Sequence, residues 1–353
     1  MPFALYVCLQ DEDKIATYSV DAASGRLTPS GGTAVPGGPS VMATSPDRQV
    51  LHVGCRNAPS IASFRINKAS GGLTPLATAP QTHAPTFLAP DRSGRYMLCA
   101  YYQGGGAAVY CFGADGAIGT PSHEWLATDT GAHAIATDPS NRFAFVPHIA
   151  RVQDNVLEPP KNIPGPNVIL QFRFDAETGR LSPNTPARVE QPEMVGPRHY
   201  IHHPTLDIVY FSNEQGCSVT AYRLDGTTGN LSPVQTVSTL PAGHTERTTC
   251  SQIHLTPSGR FLYVGNRAPT SSSIAAFAAD PSTGQLTPLG HAATEPVPSA
   301  FCLDPEGRFL FAVGTGSGRL ASYRIDQQTG VLSSLAVEAV GQRPAAVAAT
   351  TLG

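Results

Sequence analysis

The stretch Gly25-Arg26-Leu27-Thr28-Pro29 is the first of seven copies of a turn that recurs along this 353-residue chain. Four further copies keep the pattern Gly-x-Leu-Thr/Ser-Pro and two are partial. The later copies begin at Gly71, Gly116, Gly179, Gly229, Gly284 and Gly330, so the successive spacings are 46, 45, 63, 50, 55 and 46 residues. A period near fifty, built of short strands and Gly/Pro turns, is typical of a β-propeller, in which each repeat forms one four-stranded sheet. The sequence therefore predicts an all-β, seven-bladed β-propeller with four-stranded antiparallel blades.

Each repeat predicts four strands, named a to d from the inside of the ring outwards. A proline bend such as Ser45-Pro46-Asp47-Arg48 separates a from b, and the glycine turn separates c from d. The chain begins with a strand b at residues 5–8 and ends with an Ala-rich strand a at residues 343–349. Pairing of these two terminal strands completes the seventh blade and leaves no open edge in the ring. We therefore expect a single domain over residues 1–353.

Composition narrows the classes of protein to which the chain can belong. Charged residues make up 14% and the net charge is −3, so the chain has no basic footprint for nucleic acid. The N-terminal segment lacks the charged and apolar parts of a secretory signal, and no apolar run is long enough to span a membrane. Of the seven cysteines, most fall in predicted strands and only Cys217 falls in a loop. We expect a cytoplasmic protein with buried free thiols and a more exposed Cys217, which is a monomer or a weak homo-oligomer.

The bends and turns that repeat lie at one end of the blades, and the loops that vary lie at the other end. Function is expected on the varied face, at the mouth of the central channel. After the b strands this face receives Gln10, Asp11, Arg56, Asn57, Gln103, His148, Arg151, Asn213, Glu214, Asn266 and Arg267. At the starts of the a strands it receives His83, His133, Arg198, His199, Gln252 and Arg343. Several guanidinium groups around one pore favour an anionic ligand.

Three segments carry a more specific signal: Gly196-Pro197-Arg198-His199, Phe211-Ser212-Asn213-Glu214 and Val264-Gly265-Asn266-Arg267. In these segments and in its repeats, the chain resembles the lactonase family of seven-bladed propellers. That family includes bacterial 6-phosphogluconolactonases and the fungal 3-carboxy-cis,cis-muconate lactonising enzyme. The resemblance implies a metal-free site without cofactor at the channel mouth. Its implied catalytic residues are Arg198, Glu214, Arg267 and His148, and we expect His199, Asn213, Asn266, Gln252, Arg151 and Arg343 to bind substrate.

These residue types suit the hydrolysis of a small anionic sugar-acid lactone, whether aldonic, aldaric or similar to 6-phosphogluconolactone. His148 is the expected general acid or base, because imidazole titrates near pH 6.5. Glu214 shares the proton transfer or orients the histidine. Arg198 and Arg267 offer forked donors to a carboxylate, a phosphate or the oxyanion formed at the carbonyl carbon.

The same residues leave two other functions open. A cycloisomerase of the carboxymuconate type uses similar groups, and His148 favours it, since many bacterial members of the family have aspartate there. A non-enzymatic scaffold is the second alternative, although the chain lacks the Trp-Asp and Gly-His repeats of common scaffold propellers.

Two local features of the sequence can each be interpreted in two ways. His199, His202 and His203 suggest a metal site, but neighbouring residues of a strand point to opposite faces. The insertion over residues 151–167 accounts for the 63-residue spacing and forms either a wall of the pocket or a surface excursion.

Overall fold

The computed structural model describes residues 2–353, and in them the repeats form seven four-stranded antiparallel sheets. The strands of the closing blade are β1 (Phe3–Leu9), β2 (Lys14–Val20) and β3 (Leu27–Ala34), with a 3-10 helix (Gln10–Glu12) between β1 and β2. Blade 1 contains β4 (Pro39–Thr44), β5 (Val50–Cys55), β6 (Ser60–Ile66) and β7 (Leu73–Pro80), and blade 2 contains β8 (Phe87–Pro90), β9 (Tyr96–Tyr101), β10 (Gly106–Cys111) and β11 (Glu124–Ala127). Blade 3 contains β12 (Ala136–Thr137), β13 (Phe143–His148), β16 (Val168–Asp175) and β17 (Arg180–Glu190), and its insertion contains the hairpin β14 (Arg151–Val152) and β15 (Ile163–Pro164).

The second half of the ring repeats the same order. Blade 4 contains β18 (Pro197–His202), β19 (Ile208–Asn213), β20 (Ser218–Leu224) and β21 (Leu231–Ser238). Blade 5 contains β22 (Thr249–Leu255), β23 (Phe261–Arg267), β24 (Ser273–Ala279) and β25 (Leu286–Ala293). Blade 6 contains β26 (Pro298–Leu303), β27 (Phe309–Gly314), β28 (Arg319–Ile325) and β29 (Leu332–Ala339), and β30 (Pro344–Thr351) ends the chain. The predicted seven-bladed architecture is confirmed.

The two chain ends close the ring as the sequence predicts. Strand β30 pairs antiparallel with β1, from Phe3 opposite Thr351 to Leu9 opposite Pro344, and the sheet runs β30-β1-β2-β3. The C-terminal strand is therefore strand a of the closing blade, which we number blade 7. Small alanine side chains suit this strand because the a strands crowd together around the channel.

The glycine of each repeated turn is required by its backbone and by its neighbours. All seven turn glycines have φ between +70° and +82°, a region that residues with a Cβ rarely adopt. A Cβ at Gly229 of blade 4 would lie 2.1 Å from the Phe143 ring of blade 3, and one at Gly284 would lie 2.9 Å from Ile208 of the preceding blade. Each c–d turn thus packs against strand b of the blade before it, which explains why the turn recurs.

The hydrophobic core is divided among the spaces between blades. Seven clusters of buried residues occur, one between each pair of neighbouring sheets. Tyrosines of the b strands extend this contact, since the Tyr210 and Tyr263 hydroxyls donate to the carbonyls of Gly284 and Gly330 in the next blade. Side chains of both faces of every sheet are therefore buried, and the loops at the two ends carry most of the polar groups.

Two expectations about the cysteines need correction. Cys111 is exposed although it lies in β10, and Cys217 is buried although it lies in a turn. The Cys217 thiol donates to the Thr248 carbonyl at 3.0 Å and packs in the cluster between blades 4 and 5, which removes it from solvent. The other five cysteines are buried, and all seven are free thiols. No helix within residues 2–353 is long and apolar enough to cross a membrane.

Candidate active site

One position in every blade delivers a side chain to the varied face. It is the residue that follows the strand b residue paired with the first residue of strand c. Across the ring this position is occupied by Gln10, Arg56, Tyr102, Ile149, Glu214, Arg267 and Thr315. Arginine, glutamate and tyrosine thus occupy equivalent places in four blades.

A second position lies at the start of strand a, where the strand carries a bulge. In blade 4, Pro197 pairs with Asn213 and His199 pairs with Ser212, so Arg198 is an extra residue. A bulge re-aims the side chain that it inserts. In blade 3 the same place is held by His133, because Ala132 bridges to His148 and one residue more lies on the inner strand before Ala136 pairs with Phe145.

These two positions converge on the carboxylate of Glu214. Arg198 Nε donates to Glu214 Oε2 at 2.7 Å, and Arg267 Nη2 donates to Glu214 Oε1 at 2.9 Å. The Arg267 Nη2 atom also donates to the Cys250 carbonyl at 2.9 Å. The Glu214 backbone is fixed as well, since its N–H donates to Gly196 and its carbonyl accepts from Cys250. The carboxylate is therefore held from both oxygens in one orientation.

His133 completes this cluster. Its Nε2 atom lies 3.8 Å from Glu214 Oε2, and its ring meets those of Tyr102 and His199 edge-on, with centroids 5.5 and 5.1 Å away. Arg198, Glu214, His133 and His199 are all buried. Within residues 2–353, the buried atoms Arg198 Nη1, Arg267 Nε, His133 Nδ1 and His199 Nε2 make no hydrogen bond. The cluster is rich in polar atoms that a bound polar ligand can satisfy.

Burial and positive charge set the protonation states here. Burial, followed by the charge of Arg198, lowers the pKa of His133 and of His199 well below the usual value of imidazole. Burial and the like charge of Arg267 lower the pKa of Arg198 to about 10, although Glu214 opposes this. Burial raises the pKa of Tyr102 to about 12. At neutral pH the two histidines are therefore neutral, while Arg198 is charged and Tyr102 keeps its proton.

The structure does not bring His148 together with the other predicted catalytic residues. Its ring is fully buried, with Nδ1 3.1 Å from the Val146 carbonyl and Nε2 3.1 Å from Thr128 Oγ1. Burial lowers its pKa to about 4. The reason is register: His148 is the sixth residue of strand b and turns into the blade, and the next position, which faces the site, is Ile149.

The same register corrects two predicted substrate-binding residues. The Asn213 amide donates to Ser218 and Thr220 of its own blade, and the Asn266 amide donates to the Thr239 carbonyl and to Ser273. Both asparagines are fully buried and tie strands together. Gln252 likewise accepts from the Phe301 backbone, but it is half-buried and lines the channel with His199.

A cavity of about 950 Å³ opens above the cluster, and Arg267 belongs to both. Arg56 and Arg343 also line it, and substrate binding by Arg343 stays a prediction. Arg151 is half-exposed and lies in the hairpin of the insertion, and its carbonyl accepts a hydrogen bond from the Gln215 side chain.

The insertion itself forms part of the cavity wall, since residues 154–158 line the cavity. Arg247 anchors it by pairing with Asp154 and by donating to the Glu158 carbonyl at 2.5 Å. The pocket-wall interpretation of the insertion therefore holds.

Tyr102 and His133 are functional candidates that the sequence does not predict. The sequence places His133 at the start of a strand without indicating a catalytic role, and no motif marks Tyr102. The Tyr102 hydroxyl accepts a 2.7 Å hydrogen bond from the Gln153 backbone of the insertion, which leaves its proton available as a donor. Counting along strand b to the position that Glu214 holds finds Tyr102, whereas the position of His133 depends on the bulge in strand a.

His199, His202 and His203, which could suggest a metal site in the sequence, do not form a cluster in the structure. His203 Nδ1 accepts backbone N–H groups of the a–b bend from Thr205 and Leu206, whereas His202 stacks among Phe145 and Tyr200. Among residues 2–353, no group of three or more His, Cys, Asp or Glu side chains has the spacing of a metal site.

Comparison with known proteins shows the family to which this chain belongs. A family model described as "Lactonase, 7-bladed beta-propeller" matches residues 4–349. The 6-phosphogluconolactonase of Pectobacterium carotovorum is 33% identical over 98% of this chain and 97% of its own length, and that of Yersinia pestis is 31% identical over the same shares. The periplasmic gluconolactonase of Pseudomonas aeruginosa superposes with a TM-score of 0.88 at 25% identity, with both chains covered completely. With its seven blades and its arginine–glutamate cluster, the chain belongs to the lactonase family of seven-bladed β-propellers.

Proposed function

We propose that this protein hydrolyses a small anionic sugar-acid lactone, of the aldonic, aldaric or 6-phosphogluconolactone type, at the channel mouth. The observation that carries the proposal is the Glu214 carboxylate held by Arg198 and Arg267 beneath a cavity wide enough for one sugar ring. Membership of the lactonase family and relatives named 6-phosphogluconolactonase and gluconolactonase support the same chemistry.

In this proposal the arginines stabilise charge and a neutral histidine moves the proton. Water attacks the lactone carbonyl, and guanidinium donors of Arg198 and Arg267 meet the oxyanion that develops. His133 takes the proton of the attacking water, because it is neutral at working pH and lies beside Glu214. The ring C–O bond then breaks, and the leaving oxygen takes up the proton to give the open hydroxy acid. Tyr102, still protonated, is a further donor to the substrate.

The two alternatives receive less support. The histidine that favoured a cycloisomerase is His148, and its ring is bonded inside the blade. A binding scaffold has no need for buried guanidiniums and a carboxylate in one cluster. We further propose that the protein works in the cytoplasm as a monomer or weak oligomer, supported by its seven free thiols, and that it binds neither nucleic acid nor membranes.

The test is acid release measured with a pH indicator in the presence of a chelator. The panel contains gluconolactone, 6-phosphogluconolactone, glucaric and galactaric lactones and a muconolactone, each corrected for spontaneous hydrolysis. Acid release from a sugar lactone supports the proposal. No acid release from any sugar lactone, together with a change in muconate absorbance, would establish the cycloisomerase instead.

A further inference from the structure

Two arginines at the channel mouth have no part in the cluster around Glu214. Arg56 follows strand b of blade 1, at the position that Glu214 and Arg267 hold in their blades, and Arg343 precedes strand a of blade 7. Both are exposed, and both line the 950 Å³ cavity together with Arg267. The two residues come from neighbouring blades, so they form one side of the mouth.

Within residues 2–353, neither guanidinium makes an ion pair or a side-chain hydrogen bond, and the Tyr102 hydroxyl favours the charged form of Arg56 only weakly. Loss of hydration at the mouth, followed by the like charge of Arg343, lowers the pKa of Arg56. The two side chains therefore present like charges to the same cavity. Such an arrangement is stabilised when an anion lies between the forks.

Two of the three acidic side chains that line the cavity are paired with other cations. Asp154 is paired with Arg247, and the Glu158 carboxylate lies 3.3 Å from Lys161. Asp11 is the remaining carboxylate that lines the cavity, and it is exposed. Two arginines therefore face one unpaired acid.

Arg56 is also connected to the catalytic cluster by the cavity, which Arg56 and Arg267 both line. A substrate whose carbonyl lies at Arg267 can therefore extend through the cavity towards Arg56. Because Arg198 and Arg267 already hold Glu214, the far end of the substrate needs cations of its own.

We propose that Arg56 and Arg343 form a second anion subsite that selects lactones with a phosphate or a carboxylate at the end remote from the ester. This inference rests on the proposed lactonase activity and extends it to specificity. It assigns recognition of the remote group to blades 1 and 7, and the bond cleavage to blades 3, 4 and 5.

The experiment compares Arg56→Gln and Arg343→Gln with the wild type on three lactones. These carry a remote phosphate (6-phosphogluconolactone), a remote carboxylate (glucaric lactone) or no remote charge (gluconolactone). Arg319→Gln is the matched control, because Arg319 is half-exposed on the same face but does not line the cavity. Loss of one charge-assisted hydrogen bond predicts a fall in kcat/KM of about 10- to 100-fold on an anionic lactone, mainly through KM. On gluconolactone, which has no remote charge, the fall should be at least about tenfold smaller than on the anionic lactones.

The two anionic substrates separate a phosphate subsite from a carboxylate subsite, since the one with the larger fall identifies the ligand. Equal falls on all three lactones, or no fall on either anionic one, would overturn the inference while leaving the lactonase activity standing.

Calorimetric titration with 6-phosphogluconate and gluconate tests the subsite without turnover. We expect the wild type to bind 6-phosphogluconate at least about tenfold more tightly than gluconate, and each variant to lose that preference. Equal affinity of the wild type for the two acids would refute the subsite, whether or not any lactone is hydrolysed.

Discussion

Arg198 Nε donates a 2.7 Å hydrogen bond to Glu214, and the two side chains are only 8% and 5% exposed. Removing two such groups from water is costly, so each depends on the other for its stability in the folded protein. The pair belongs to one blade and is completed from blade 5 by Arg267. The cluster is therefore both a structural link across blades and the centre of the proposed chemistry.

The first prediction separates these two roles of Arg198. Arg198→Met leaves Glu214 short of a partner and should lower the free energy of unfolding by about 3–5 kcal/mol. Arg198→Lys keeps the charge but loses the fork, so it should unfold closer to the wild type and still lose about 100-fold in kcat. Denaturant unfolding and acid release measure the two effects. A lysine variant with wild-type kcat would show that the fork has no catalytic role.

The second prediction concerns the choice between two histidines. His133→Asn should lower kcat by about 10²- to 10⁴-fold, the usual contribution of a general base. His148→Asn should change kcat by less than about threefold, because blades 4 and 5 carry asparagine at the same strand position, in Asn213 and Asn266. The opposite ranking of the two variants would restore His148 as the catalytic residue.

The third prediction is the pH dependence of kcat/KM. An unperturbed histidine base would lose activity below about pH 6.5. The pKa of His133 is well below that value, so its neutral form persists as the pH falls through 6.5. We expect kcat/KM on gluconolactone, which does not titrate, to stay level as the pH falls from about 8 through 6.5. A half-maximal rate at about pH 6.5 in the wild type would contradict the assignment.

The fourth prediction tests the repeated turn. Gly229→Ala places a methyl group 2.1 Å from the Phe143 ring at a residue with φ of +78°, so we expect a loss of about 2–5 kcal/mol in unfolding free energy. Gly226→Ala is the control in the same turn, because nothing lies within 4 Å of its Cβ. It should stay within about 0.5 kcal/mol of the wild type. Similar losses in both variants would mean that blade contact is not what requires the glycine.

The fifth prediction follows from a histidine buried without charge. Burial lowers the pKa of His52 to about 4, from about 6.5 in an unfolded chain. The unfolded state thus binds the proton first, and stability present above pH 6.5 is lost as the pH falls towards 4. His52→Phe keeps the stacking on Phe112 but cannot titrate. Its unfolding free energy should fall less than that of the wild type between pH 7 and pH 5, and an equal fall would exclude His52 as a cause.

The fold was predictable because its signals are local and repeated. The turn glycines and proline bends recur at a nearly fixed spacing, and the pairing of β30 with β1 follows from an unmatched strand at each end. The extent of the single domain, residues 1–353, stays a prediction. The burial of Cys217 was not predictable, because burial between two blades depends on tertiary contacts that a turn sequence does not reveal.

The site was predictable in part. Arg198, Glu214 and Arg267 come together as expected. Successive residues of a strand point to opposite faces, however, so an error of one position assigns a residue of the blade interior to the site. His148, Asn213 and Asn266 share the sixth position of strand b and all bond inside. His133 depends on a bulge, and bulges leave no clear mark in a single sequence.

The most direct test compares the wild type with Glu214→Gln in the same acid-release assay on gluconolactone and 6-phosphogluconolactone. Glutamine keeps the shape and an acceptor for one arginine but removes the charge. We expect the wild type to release acid well above the spontaneous rate on at least one lactone, and the folded variant to fall by at least about 100-fold. A folded Glu214→Gln protein that hydrolyses lactone at the wild-type rate would contradict the assignment of the Arg198–Glu214–Arg267 cluster as the active site.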